Sequence, residues 1–130
     1  MRDDVIQLGP NQTLRVRSSS DDALEVEAEW APGGFEPPAH FHPNQDEHFE
    51  ILEGELSVVV DGEPRTLRAG DVLDIPRGVA HRMWNGSDAN ARATWRVTPR
   101  LKTEEMFRTI AGGGAEDFLQ RYADEFQLAL

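Results

Sequence analysis

The sequence predicts an all-β domain with a short C-terminal helical tail, and three observations support this fold class. Apolar and polar residues alternate with a period of two through most of residues 5–98, which is typical of strands that bury one face. Turn-forming residues interrupt this alternation every several positions, and Asp61-Gly62 is a strong hairpin signal between two of the runs. After Pro99 the spacing of apolar residues becomes helical.

The individual strands are predicted from these runs in chain order. In LEVEAEW, at residues 24–30, apolar side chains alternate with three glutamates, so one face is buried and the other is in water. The run ELSVVV leads into Asp61-Gly62, after which PRTLR runs back beside it. A turn at RAGD is followed by a short apolar strand, VLDI, which Pro76 ends, and ARATWRV at 91–97 is the last alternating run.

The tail, at about residues 101–130, is predicted to contain two helices. The first, TEEMFRTIA, begins with Thr103 as N-cap and has two glutamates in its first turn, where negative charge stabilises a helix. Three consecutive glycines at 112–114 end it. The second helix carries an apolar stripe made up of Phe118, Leu119, Tyr122 and Phe126. This stripe packs either on the chain's own barrel or against a second subunit.

Length and charge exclude several classes of protein. The 130 residues suffice for a single domain with its own core, the barrel occupying about 5–98. A formal net charge of −11 argues against nucleic acid and anionic membrane surfaces as partners, because both require a positive face. The chain has no cysteine, which excludes disulfides and thiolate sites. MRDDVIQLGP lacks the apolar run of a signal peptide and no segment approaches ~20 apolar residues, so a cytoplasmic location is expected.

Three of the four histidines lie in one segment, PPAHFHPNQDEHFE, at residues 37–50. Its prolines exclude a helix interior, and in extended backbone residues two apart project to the same side, so His40 and His42 point together. A turn expected at 43–46 resets the register and returns Glu47 to that side. Two imidazoles and a nearby carboxylate are a candidate metal site, and solvated loop histidines are the alternative.

Residues of a few types recur at fixed spacings in two blocks. The first block contains Gly34, His40, His42, Glu47 and Gly54, and the second contains Gly70, Pro76, Gly78, His81 and Asn85. The two blocks resemble the two signature motifs of the cupin superfamily at every fixed position. The chain therefore resembles a small single-domain cupin of the conserved-barrel (cupin 2) type, over about residues 24–98. This resemblance implies a double-stranded β-helix barrel of the jelly-roll type.

The resemblance also implies a metal ion inside the barrel, bound by His40, His42, Glu47 and His81. Three imidazoles and one carboxylate suit a divalent transition ion (Fe, Mn, Ni, Cu or Zn) better than calcium. Four protein ligands leave one or two positions of an octahedral ion for water, O₂ or substrate, and Glu47 offsets part of the ion's charge. Its counterpart in some cupins is thought to transfer a proton, so Glu47 is also the candidate catalytic residue.

Four residues are candidates for a substrate pocket: Gln45, Phe49, Ile51 and Met83. Phe49 and Ile51 share the strand parity of Glu47, and Met83 shares that of His81, so they face the barrel interior as core or as pocket wall. Gln45 either reaches the open side of the ion or is a plain turn residue. His48 neighbours Glu47 and is predicted to face away from the ion.

The predicted function is that of a metal-dependent enzyme, most specifically a dioxygenase acting on a small organic molecule. The cupin fold does not determine the reaction, so two alternatives stay open: an isomerase or decarboxylase that uses the ion as a Lewis acid, and a non-catalytic barrel that binds or senses a small ligand. Neither a GxGxxG motif nor a P-loop is present. Small cupins commonly form dimers, so a homodimer is expected, with the apolar stripe as a candidate contact.

Overall fold

The computed structural model describes residues 4–129, which form two antiparallel β-sheets and two short helices. The strands before the tail are β1 (Val5–Gln7), β2 (Gln12–Ser19), β3 (Leu24–Trp30), β4 (His40–Phe41), β5 (Asp46–Glu53), β6 (Glu55–Val60), β7 (Glu63–Arg68), β8 (Val72–Ile75), β9 (His81–Trp84) and β10 (Ala91–Thr98). The tail contains α1 (Thr103–Ala111), α2 (Phe118–Arg121) and β11 (Gln127–Leu128). Residues 1–3 and 130, which the predicted single domain includes, lie outside the described residues.

The two sheets enclose the hydrophobic core. The six-stranded sheet has the order β1-β2-β3-β10-β5-β8, and the five-stranded sheet has the order β11-β4-β9-β6-β7. In β3 the four apolar side chains are buried while the glutamates between them are not, as the period-two pattern predicts. The predicted all-β jelly-roll barrel with a short helical tail is therefore confirmed. Neither α1 nor α2, the helices of residues 4–129, is long and apolar enough to cross a membrane.

The predicted hairpin at Asp61-Gly62 joins β6 to β7, with Val60 paired to Glu63. Both central residues have positive φ, 50° for Asp61 and 81° for Gly62. A two-residue turn of this hand matches the right-handed twist of the flanking strands. The Asp-Gly dipeptide thus fixes the register of the hairpin.

Helix α1 does not begin as predicted, because Thr103 is not its N-cap. The capping position is Lys102, and it makes no side-chain capping bond. Instead, the Lys102 amide donates to Oε2 of Glu125 at 3.2 Å, so a distant carboxylate satisfies one free amide at the helix start. The Thr103 hydroxyl is buried and accepts from Nε2 of Gln45 at 2.6 Å.

The second predicted helix is much shorter than expected. Helix α2 ends at Arg121, and the chain then turns so that β11 pairs with β4. Tyr122 is fully buried, and its hydroxyl donates to Glu105 Oε2 at 2.8 Å, which fixes the turn against α1. Phe118 and Phe126 pack on the same core, whereas Leu119 is 50% exposed. Most of the stripe therefore covers the chain's own barrel, and the homodimer stays a prediction.

Gly54 and Gly62 differ in the space around them, and alanine substitution at each position tests how closely the Asn90 backbone approaches Gly54. Both have similar positive φ, 78° and 81°, but a Cβ on Gly54 would lie 2.2 Å from the Asn90 carbonyl oxygen, whereas one on Gly62 meets nothing within 4 Å. Gly62→Ala is expected to lower the free energy of unfolding by about 1 kcal/mol, and Gly54→Ala by about 2 kcal/mol more. Urea unfolding of both variants measures the difference, and equal losses would contradict the close approach.

Candidate metal centre

Three histidines from the five-stranded sheet meet inside the barrel. His40 begins β4, His42 follows that strand directly, and His81 begins β9 opposite His40. One ring nitrogen of each histidine lies within 4.8 Å of those of the other two. His42 and His81 are both buried. The strand parity expected for His40 and His42, together with the pairing of β4 and β9, brings the distant His81 to the same point.

Glu47 reaches this point from the opposite sheet. It is the second residue of β5, so the turn before it resets the register as predicted. Its side chain is buried, and Oε1 lies 3.0 Å from Nε2 of His42 and 2.9 Å from Nε2 of His81. All four predicted ligands are thus brought together, with the carboxylate against two of the three rings.

Backbone carbonyls fix how the two inner rings are oriented. Nδ1 of His42 lies 2.7 Å from the Glu125 carbonyl, and Nδ1 of His81 lies 3.0 Å from that of Val79. A carbonyl oxygen only accepts, so each Nδ1 carries a proton. In a neutral ring the lone pair is then on Nε2, the nitrogen that faces Glu47. The Nε2 lone pairs of His42 and His81 then both face the negatively charged Oε1 of Glu47. These contacts are repulsive unless a proton or a cation lies between the ring nitrogens and the oxygen.

The arrangement fits a divalent transition ion. Nε2 of His42 and Oε1 of Glu47 are buried without a hydrogen-bond partner of suitable geometry, although they are 3.0 Å apart. Two atoms bound at right angles to one ion, each at about 2.1 Å, lie about 3.0 Å apart, which is the separation seen here. The other carboxylate oxygen, Oε2, accepts from Nε1 of Trp95 at 2.6 Å. Only Oε1 is therefore directed at the histidines.

The electrostatics of the cluster follow from burial and from the mutual contacts. Burial alone would raise the pKa of Glu47, but its close contacts with His42 and His81 and the positive charge of these rings when protonated outweigh burial, and the pKa is lowered. Burial alone would lower the pKa of His42, but the close contact with Glu47 and its negative charge raise that pKa. Burial, with the nearby charges of His81 and His42, lowers the pKa of His40 to about 4. At neutral pH, His40 is unprotonated and Glu47 is ionised.

A cavity of about 370 Å³ adjoins the four residues. Apart from Gln12 and the cluster itself, its lining is apolar and consists of Leu8, Trp30, Pro37, Pro38, Phe49, Met83, Trp95, Met106, Phe107, Ile110, Phe118, Phe126 and Leu128. Phe49 and Met83 lie in this wall, where parity predicted them. An apolar cavity with a few convergent polar groups is the usual form of a small-molecule site.

The other two residues predicted for the pocket do not line this cavity. Gln45 is 1% exposed, and its Nε2 donates to the carbonyls of Pro99 and Arg100, both at 2.9 Å, so it holds the start of the tail. It precedes β5, so strand parity does not govern its direction. Ile51 lies in the core, about 13 Å further along β5 than Glu47. His48 faces away as predicted, with Nδ1 2.6 Å from Asp74 Oδ1 on the exposed side of the sheet.

Three contributions to the site were not foreseen from the sequence. Phe126 stacks on His40 with ring centroids 4.8 Å apart, and the Glu125 carbonyl orients His42. Both lie in the tail, which reaches the site only through the pairing of β11 with β4, and no local pattern signals that pairing. Trp95 was detectable in principle, because its inward parity on β10 places it opposite Phe49.

Comparisons with known proteins give consistent results. A comparison with protein-family profiles matches residues 26–97, more than half of the chain, to the cupin domain. The oxidoreductase iacF of Pestalotiopsis fici is 47% identical over 49 residues, which are 37% of this chain and 24% of that protein. The tetracenomycin polyketide synthase protein TcmJ of Streptomyces glaucescens is 33% identical over 67 residues, 52% of this chain and 45% of that protein. The chain thus spans less than half the length of each of these two relatives.

Among solved structures, KdgF from Halomonas sp. superimposes with a TM-score of 0.70 at 20% sequence identity. The superposition covers 78% of this chain and 91% of that one. Since the sequence identity is low, this likeness concerns the fold. It supports the jelly-roll architecture described above.

The amount of metal that a variant retains distinguishes the four proposed ligands, His40, His42, Glu47 and His81, from His48, which faces away from them. His81→Ala removes a buried nitrogen that faces Glu47 and is expected to lose most of the bound metal, whereas His48→Ala is expected to keep it. Elemental analysis of both variants after identical purification and reconstitution is the measurement, with circular dichroism as a check of folding. Equal metal content in the two folded variants would show that the ligand assignment is wrong.

The pKa of His42 is raised above the ordinary histidine value of 6.5. The affinity of the site for metal is therefore expected to fall as the pH is lowered through this pKa. A metal ion binds only the unprotonated ring. Because the pKa of His42 is raised, its ring stays protonated up to a higher pH, and protons compete with the metal up to that pH. His40, with a pKa of about 4, adds competition only in much more acidic solution. Titration with Co(II) between about pH 6 and 8 should show at least one proton displaced per ion. An affinity that is constant across this range would contradict proton competition at His42.

Proposed function

This chain belongs to the cupin family, as the two motif blocks predicted, and on this premise we propose that it is a metal-dependent enzyme, an oxidoreductase of the dioxygenase type that acts on a small organic molecule. The observation that carries this proposal is the meeting of three imidazoles and one carboxylate at the wall of an apolar cavity. A site of this kind leaves ligand positions open on the side from which a small molecule enters.

In this proposal His40, His42, His81 and Glu47 bind one divalent ion. When bound, a redox-active ion such as Fe(II) or Mn(II) supplies the electron transfer that reaction with O₂ requires. The carbonyls of Val79 and Glu125 hold the two inner rings with Nε2 toward the site. These carbonyl contacts position the ligand nitrogens before an ion arrives, which lowers the cost of ordering them.

Glu47 has two roles in the proposal: its carboxylate binds the ion, and it accepts a proton from the substrate. Oε1 faces the histidines and binds the ion, while the Trp95 indole holds Oε2. When Oε1 is not bound to the ion, it is also the atom we assign to accept a proton from the substrate. The lowered pKa of Glu47 keeps it ionised and thus able to accept a proton at neutral pH, although it makes the carboxylate a weak base.

The aromatic side chains around the cluster exclude water from the reacting atoms. Phe126 covers His40 from the tail side, and Phe49 and Trp95 stack on each other at 5.3 Å beside Glu47. Removing water strengthens the electrostatic interactions of the cluster and protects reactive species from hydrolysis.

A second candidate is Lewis-acid chemistry at the same site, such as isomerisation, decarboxylation or ring closure. The similarity to TcmJ favours it, because that relative is named as a polyketide synthase protein and not as an oxidoreductase. The same four ligands hold a redox-inert ion equally well, and such an ion stabilises an enolate.

The two candidates differ in their requirement for O₂ and for a redox-active ion. We expect the Fe(II)- or Mn(II)-loaded protein to consume O₂ in the presence of a suitable member of a panel of small organic molecules, and the Zn(II)-loaded protein to consume none. His81→Ala should abolish the uptake and His48→Ala should retain it. An oxygen electrode and mass analysis of products are the measurements.

Equal turnover with Zn(II) and without O₂ would refute the dioxygenase and support the Lewis-acid enzyme. Tight binding of panel members without any product, whichever ion is loaded, would refute both enzymes. It would identify the barrel as a small-ligand binding protein.

A further inference from the structure

The cavity beside His40, His42, Glu47 and His81 has a lining that indicates which kind of molecule binds there. We infer that the substrate is a small aromatic molecule, with one oxygen donor at the end that meets the cluster and no charge elsewhere. This inference rests on the proposed function, because it names the substrate class of the same site. Its evidence is the lining of the cavity, the charge of the cluster and the volume.

Among residues 4–129, neither a lysine nor an arginine lines the cavity. The basic side chains closest in sequence to the site residues are engaged elsewhere: Arg82 pairs with Glu36 at 2.8 Å, and Arg77 pairs with Asp46 at 3.2 Å. The chain as a whole carries a net charge of −11, and the resulting potential disfavours the approach of anions. A carboxylate or phosphate away from the cluster would therefore have no cationic partner among the described residues of the wall, and burying such a charge is costly.

The cluster itself limits the charge of the end that binds there. A divalent ion and the ionised Glu47 together leave one positive charge. One oxygen donor with at most a single negative charge, such as a phenolate or enolate, brings the total to zero. A second negative charge would remain unneutralised in a cavity whose walls are apolar.

Six aromatic rings contribute to the wall: Trp30, Phe49, Trp95, Phe107, Phe118 and Phe126. They are supplied by both the barrel and the tail, so aromatic rings border the cavity from both parts of the chain. Aromatic rings contact one another favourably, in offset or edge-on arrangements. Among the described residues, Gln12 is the only polar residue of this wall outside the cluster, so the hydroxyl groups of a sugar would lose their hydrogen bonds on entry.

The volume limits the size of the molecule. One water occupies about 30 Å³ of liquid, so the cavity of about 370 Å³ has room for about twelve waters. A molecule of two fused six-membered rings with one oxygen takes up less space than these waters and fits within the cavity.

Two matched probes test the inference by binding, without requiring turnover. 2-Naphthol has one oxygen on two fused rings, whereas naphthalene-2,6-dicarboxylate carries a carboxylate at each end, so one of its charges lies away from the cluster in either orientation. On the Zn(II)-loaded protein and on the protein without metal, calorimetry should give a dissociation constant for 2-naphthol at least about tenfold lower than for naphthalene-2,6-dicarboxylate. The Zn(II)-loaded form should bind 2-naphthol more tightly than the metal-free form.

A matched pair of variants locates the binding site. Phe118 lines the cavity, while its neighbour Leu119 is exposed on the same short helix. Phe118→Ala should weaken the binding of 2-naphthol by about fivefold, and Leu119→Ala should leave it unchanged. Because Phe118 is only partly buried, the folded state should tolerate its loss.

Equal or tighter binding of naphthalene-2,6-dicarboxylate, no binding of 2-naphthol, or equal effects of the two variants would overturn the inference. These outcomes are independent of the enzyme proposal. Binding of 2-naphthol as described, without turnover of any substrate, would keep the substrate class for a binding protein. Turnover of a dicarboxylate or phosphorylated compound would refute the substrate class and leave the enzyme proposal intact.

Discussion

The buried carboxylate of Glu47, held between two imidazoles, is the constraint on which the site depends. Its Oε1 lies within 3.0 Å of Nε2 of both His42 and His81, and each of these rings is fixed by a backbone carbonyl on its other side. Neither ring can turn away without breaking that bond. The interior of the barrel must therefore hold positive charge at this point, either as protons on the rings or as a metal ion. The same constraint explains why the pKa of Glu47 is lowered and that of His42 is raised, although both groups are buried.

The C-terminal tail completes the site and does more than cap the barrel. Strand β11 adds to the edge of the sheet that carries His40, and this pairing brings the Glu125 carbonyl and the Phe126 ring against two of the histidines. The carboxylate of Glu125 meanwhile accepts from the amide of Lys102, the residue directly before α1, so one residue links the helix start to the ligand cluster. Changes in the tail are consequently expected to alter both the orientation of the ligands and the shape of the cavity, while the barrel strands stay the same.

Much of the fold could be predicted from the sequence because the signals are local. Alternation in Leu24–Trp30 and the Asp61-Gly62 turn each depend on a few neighbouring residues, and the strands follow from them. Strand parity placed His40 and His42 on one side, whereas the distant His81 was assigned to the same cluster only through the resemblance to the cupin motifs. The errors concern contacts between distant residues. Threonine is a residue type that often caps helices, but the Thr103 hydroxyl accepts a hydrogen bond from Gln45 instead. The amide of Lys102, at the start of the helix, donates to the carboxylate of Glu125. The spacing of Phe118 to Phe126 is helical, yet burial of Tyr122 and pairing of β11 end the helix after one turn. Local periodicity does not determine where such a segment finds its partner.

X-ray diffraction at the absorption edge of the bound ion, using crystals of protein purified without a histidine tag, would show directly whether the four residues bind a metal. One anomalous peak is expected in the barrel, within bonding distance of a ring nitrogen of His40, His42 and His81 and of Oε1 of Glu47. A map of metal-reconstituted protein with no peak there, in which the rings contact Glu47 directly as protonated imidazoles, would contradict this expectation. The cluster would then be a buried ion-pair network, and the cavity beside it would have to function without a metal.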